Sequence, residues 1–199
     1  MDRLRHLWLA LSRHARQARP RQPGVVSRLF FAELGTRLLA AFARCDPHVD
    51  EVRPHLAVTA AWTAEDFARA SQALQKHGYE IGVHKMDLPG WTGLLQGRRD
   101  HQAGLLANPT LMEHEPPSDL LWAVLHLAEE LAWRESLNHL PYADRAHLAG
   151  DAQRAYRLLA QEWLEYVRHL QGSCPHSFSL AVRTNPFDRD ASPIVKGGS

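Results

Sequence analysis

Between Arg145 and Gln171, Leu148, Ala152, Ala155, Tyr156, Leu159, Trp163, Tyr166, Val167 and Leu170 recur at intervals of one to four, with charge filling the other side. That spacing fits one broad face of a 3.6-residue helix and no strand. A helix of this length spans roughly 40 Å, and so wide an apolar stripe must be covered by other helices. Asp144 before it serves as an N-cap and Gly172 as its end.

The same period returns from Val25 to about Arg44, where Phe31, Leu34, Leu38, Ala41, Phe42 and Cys45 share a side, and again in "LWAVLHLAEELAWRESLNHL", residues 121–140. There Ser118 is the expected cap and Pro141 the stop. No run of alternating β-branched residues is long enough to argue for a sheet. The expected fold class is therefore all-α: an antiparallel helical bundle with a basic amphipathic N-terminal helix, an irregular central connection and an extended C-terminal tail.

Three parts follow. Residues 1–23 form a basic arm, 24–172 the bundle, and 173–199 a tail whose small apolar clusters lie along the bundle as extended chain. Within the bundle, Asp46 before Pro47 starts a helix that Pro54 kinks or restarts. Thr63 and Asp66 form a capping box, opening a helix that Gly78 closes. Residues 79–117 are interrupted by glycines 82, 90, 93, 97 and 104 and prolines 89, 109, 116 and 117. Only a short helix around "WTGLLQGRRDHQAGLL" is expected there, within a packed crossover or a functional connection.

Charge divides the chain as well. Six arginines against Asp2 give residues 1–23 a charge of +5, and the remaining 17 basic and 21 acidic residues give −4, for the net +1. Leu4, Leu7, Trp8 and Leu11 line one side of the arm, with Arg5, Arg13 and Arg16 opposite. A basic amphipathic helix of this kind suits a protein partner, the chain's own bundle, or an anionic membrane or nucleic-acid surface. Two distant cysteines, Cys45 and Cys174, support neither a disulfide framework nor a cysteine zinc knuckle. No window holds the ~20 apolar residues of a spanning helix, and Leu7 to Leu11 is too short for a signal-peptide core. A cytoplasmic setting is the expectation.

One carboxylate breaks the pattern. Projected at 100° per residue, Glu135 points along the apolar stripe of Leu120, Val124, Ala128 and Leu131, and His139 lies near the same line. A buried carboxylate must be paired, metal-bound or protonated. Counting outward from the short turn at 138–143 sets Glu135 near Arg145, itself aimed along the stripe of the last helix. A hairpin ion pair between Glu135 and Arg145, with His139 beside it, is the expected structural answer.

The chemical alternative is a zinc or iron site at Glu135, His139 and His101. Against it, the paired Glu-x-x-His motifs of a di-iron bundle are absent, and His126-Leu127-Ala128-Glu129 has the reverse order. No phosphate-binding loop, dinucleotide fingerprint, H-E-x-x-H or G-x-S-x-G occurs, and no catalytic residue is named. The expectation is a non-catalytic interaction or adaptor protein without cofactor. It would contact a protein partner through Arg5, Trp8, Arg13 and Arg16 and through its C-terminal tail.

Overall fold

The structure is a computed structural model that describes residues 25–97 and 119–195. Among these residues every regular element is helical. In chain order they are α1 (Val25–Phe30), a π-helical turn (Phe31–Gly35), α2 (Thr36–Ala43), α3 (Val49–Val52), a 3-10 turn (Arg53–Leu56) and α4 (Ala64–Lys76). A second 3-10 turn (Val83–Lys85), α5 (Leu88–Gln96), α6 (Asp119–Ala132), α7 (Tyr142–Ser173) and α8 (Pro175–Arg183) follow. The all-α expectation holds.

α7 is the axis of the molecule. It runs 32 residues, about 48 Å, and packs against α2, the π-helical turn, α4, α6, α8 and the 83–85 turn. Leu148, Ala152, Ala155, Tyr156, Leu159, Trp163, Val167 and Leu170 are buried along it, as the stripe requires. The helix starts earlier and ends later than the caps imply. Pro141 occupies the N-cap position, and Gly172 lies inside the last turn.

The path from Val25 to Ala43 is helical throughout, with the π-helical turn where Phe31 and Leu34 enter the core. Thr36 donates its hydroxyl to the Phe31 carbonyl at 3.0 Å, holding the wider turn. Gly35 is required there. A Cβ would lie 2.7 Å from ring atoms of both Phe30 and Phe31. The Phe31 ring stacks on Tyr166 of α7 at 5.3 Å.

Local signals held at α4 but not at its end. The Thr63 and Asp66 capping box is complete, with Thr63 N–H donating to the Asp66 carboxylate at 2.7 Å. The helix then stops at Lys76 because His77 is extended, with φ −63° and ψ 132°. Gly78 supplies no left-handed cap, since no described residue has a positive φ. Pro54 falls in the first turn of the Arg53–Leu56 segment and separates it from α3, as its ring and missing N–H require.

Residues 79–97 are a packed crossover. Tyr79, Ile81, Met86, Leu88, Trp91 and Leu95 are all buried, and Trp91 meets Phe42 edge-on at 4.9 Å. Asp87 caps α5 by accepting Gly90 N–H at 3.0 Å. The rest of the 79–117 connection, with His101, lies outside the described residues.

The tail is not extended over its first half. Pro175 in the first turn and Phe178 and Ala181 three residues apart form α8, whose apolar side closes on α7. Beyond it Asn185 donates to the Leu56 carbonyl at 2.7 Å, and Phe187 seats against Trp163 at 5.6 Å. This part of the tail is structural. Leu180, Ile194 and Val195 are its exposed large apolar residues.

Candidate functional site

Two polar centres stand out in the described residues, one sealed and one open to solvent. The sealed centre forms where the chain turns from α2 into α3. Asp46 is buried there, and its Oδ2 lies 2.7 Å from Nε2 of His77, whose side chain is equally sealed. The other carboxylate oxygen accepts His48 N–H at 2.8 Å. Asp46 thus makes the local turn suggested by Asp-Pro, while α3 begins only at Val49.

Tyr79 packs edge-on against His77 at 4.7 Å and against Tyr156 of α7 at 4.9 Å. Burial, reinforced by the Asp46 charge, pushes both phenol groups well above the ordinary tyrosine range. Their hydroxyls stay neutral, and neither completes a well-aligned hydrogen bond.

The neighbouring backbone is drawn tight. Gly82 N–H donates to the Cys45 carbonyl at 3.0 Å, and a Cβ on Gly82 would sit 3.1 Å from that oxygen. The Cys45 thiol donates to the Lys85 carbonyl at 3.1 Å, and burial raises its pKa. A hydrogen-bonded Asp–His pair can move a proton, and both side chains of this one are almost fully buried. Its role is to lock the α2–α3 turn, the end of α4 and the 79–85 segment onto α7.

The open centre is the seam between α6 and α7. His126 faces Asp151, Glu130 faces His147, and Arg134 faces Asp144. As the number rises on one helix it falls on the other, so the two run antiparallel. Arg134 is the chief tie. Its Nε and Nη2 donate to the two Asp144 oxygens at 2.8 and 2.6 Å, and its Nη1 donates to Glu130 Oε2 at 2.9 Å and also to the Glu130 carbonyl. The guanidinium holds Glu130 and Asp144 below the usual carboxylate range, and the two acids raise Arg134 in turn. Cation and anion also oppose the right helix ends, Arg134 just past α6 and Asp144 in the first turn of α7.

Asp151 completes the seam. Its Oδ1 accepts from Arg154, and its buried Oδ2 lies 3.4 Å from Nε2 of both His126 and His147 without a hydrogen bond of normal geometry. Among the described residues no three histidine, cysteine or acidic side chains are grouped to hold a metal ion.

The expected pair of Glu135 and Arg145 is not formed. α6 ends at Ala132, where Trp133 N–H reaches Glu129 and Arg134 N–H tightens onto Leu131. Beyond that residue the 100° projection no longer applies, and Glu135 and His139 are both exposed. Arg145 instead donates to the Val83 carbonyl at 2.8 Å, tying α7 to the crossover. The seam was placed correctly, but each partner was misidentified by one position: Arg134 and Asp144 make the tie. Of the metal candidates, Glu135 and His139 lie in the exposed link between helices, and His101 is outside the described residues. Arg5, Trp8, Arg13 and Arg16 are outside them too.

Sequence reasoning took Asp46 only as a helix cap, and it passed over His77 and Asp151. Asp151 carries the signal used for Glu135, a carboxylate beside Leu148, Ala152 and Ala155 on an apolar stripe. Asp46 and His77 are 31 residues apart and carry no such signal.

On its outer side α6 presents Trp122, His126, Glu129 and, at its end, Trp133. Trp122 and Trp133 are 55% and 87% exposed, and Tyr142 at the start of α7 is 68% exposed. The inner side buries Leu120, Val124, Leu127 and Leu131. No helix of the described residues is long and apolar enough to cross a membrane.

The model of a protein family, described as the C-terminal helical domain of uncharacterized protein MJ1433, matches residues 21–183. The chain belongs to that family. The Methanocaldococcus jannaschii protein MJ1433 is 37% identical over 159 residues, which cover 80% of this chain and 64% of that relative. This chain thus spans just under two thirds of the relative's length. No solved structure matches it.

Proposed function

We propose that this member of the family is a non-catalytic helical interaction domain, and that the outer side of α6 is its docking face. One observation carries the reading: two tryptophans, Trp122 on α6 and Trp133 immediately past its last residue, stand exposed beside a helix whose other side is sealed into the core. Tryptophans on a rigid element are favoured anchors for a protein partner, because they bring large contact area at low entropic cost. Single exposed apolar residues are ordinary, whereas two tryptophans at one helix, both left in solvent, make a surface suited to being covered.

The comparison lends support. In the M. jannaschii relative the helical unit is the C-terminal part of a longer chain. A domain in that position has a neighbour to pack against.

The test is direct binding. The part of the M. jannaschii protein outside the match is expressed separately and titrated by calorimetry with this 199-residue chain. The expected result is a stoichiometric complex, weakened at least about tenfold by Trp122→Ala with Trp133→Ala, a loss of about 1.4 kcal/mol. The melting temperature of the variant stays unchanged. No binding by the unaltered chain, or equal binding by the variant, overturns the assignment of this face.

A further inference from the structure

The docking face has a charge as well as a shape. Asp119, Glu129 and Glu130 are the charged residues of α6, and no Lys or Arg occurs between 119 and 132. Glu130 is engaged by Arg134, whereas Asp119 and Glu129 are exposed along the same strip as the tryptophans. The strip is therefore acidic and aromatic. Its fitting occupant is a helix with arginines and apolar anchors side by side, because guanidinium groups pair with carboxylates and stack on indole faces.

This chain holds a segment of that composition. Residues 1–23 combine Leu4, Leu7, Trp8 and Leu11 with six arginines for a charge of +5, against −4 for the remainder. Its reach is sufficient. Arg28 of α1 touches His169 of α7 at 3.1 Å. The centre of the strip, His126, faces Asp151, eighteen residues back along α7, or about 27 Å. α1 continues away from Asp151, with Phe31 at Tyr166 and Arg28 at His169, so residue 25 starts up to about 5 Å further off. Seven extended residues, 18–24, would cover about 24 Å, and residues 4–16 as the helix their spacing predicts would add about 20 Å, close to the length of the strip from 119 to 133.

We propose that residues 1–23 dock in cis on the Trp122–Glu129–Trp133 face of α6, so that a protein partner gains this face only by displacing the arm. The inference rests on the reading of that face as a docking surface and adds its regulation. The attraction is largely between charges, so salt weakens it, while the apolar anchors of Leu4, Trp8 and Leu11 set its register.

Tryptic cleavage of the full-length chain after Arg13 and Arg16, followed by mass spectrometry at low salt, tests the contact. Cleavage is expected to be about tenfold slower in the unaltered chain than in Trp122→Ala/Glu129→Arg, and the protection is expected to vanish at 0.5 M salt. Trp8→Ala is expected to release the arm equally. Protection independent of protein concentration supports docking in cis. Protection that grows with concentration, alongside a dimer by light scattering, assigns the face to a second copy and overturns the proposal. Equal cleavage in all three chains overturns it as well. Arm cleavage unchanged while Trp122→Ala/Trp133→Ala loses its partner sinks only the arm. Protection without any partner binding sinks the docking function and leaves the arm a fixed part of the fold.

Discussion

The sealed centre at Asp46 and the open seam at Asp144 are built from the same kinds of group, yet they do different work. At the first, one carboxylate meets one imidazole and both side chains are almost fully buried. At the second, a guanidinium spans two carboxylates whose side chains keep about a third of their surface in water. Removing one partner from the first leaves a charge or a polar ring stranded in the core, whereas water fills the gap at the second. Exposure, more than residue type, sets what each is worth.

Mutation sharpens that contrast. The largest effect is expected from Asp46→Ala, which strands His77 and loosens the turn into α3. A loss of about 3 kcal/mol is expected in denaturant unfolding, and a loss below 1 kcal/mol would mean that water enters the centre. Gly35→Ala comes next at about 2 kcal/mol, because a methyl group must be forced between Phe30 and Phe31. Full stability would show that the π-helical turn relaxes freely.

Arg134→Ala is expected to cost about 1 kcal/mol, given partners that are about a third exposed. Its effect has a pH signature. Glu130 and Asp144 both titrate below their ordinary range, so the tie is complete above the unfolded-state values and fades as pH falls through the lower folded ones. The difference between the two chains should therefore shrink below about pH 4, and a constant difference would assign the effect to packing. The smallest effect belongs to Glu135→Ala, expected within about 0.5 kcal/mol in thermal melts because the side chain lies in water. A loss of 2 kcal/mol would restore it as a buried partner.

The extent of the fold was legible wherever period and caps agreed. The stripe on α7 predicted both its burial and its central place, and the Thr63 box marked the start of α4 to the residue. Legibility failed where tertiary contacts set the ends of elements. α6 stops at Ala132 because Arg134 turns back to the Glu130 carbonyl and across to Asp144, and no local breaker announces this. His77 leaves α4 to reach Asp46. The helix at 175–183 was readable, since Pro175 and the spacing of Phe178 and Ala181 are ordinary helical signals, but the turn-forming residues after it obscured them. For the candidate site, the α6–α7 hairpin was foreseen and its pairing was not, because one residue of helical phase exchanges Arg134 for Glu135.

Because six of the other elements lean on one uninterrupted rod, and the buried residues form one continuous cluster around it, the described body shares a single core. Chain opening at any point along Tyr142–Ser173 should release α2, α4, α6 and α8 together. Amide exchange in these elements is expected to converge on a single high free energy, and heat to melt them in one sharp step.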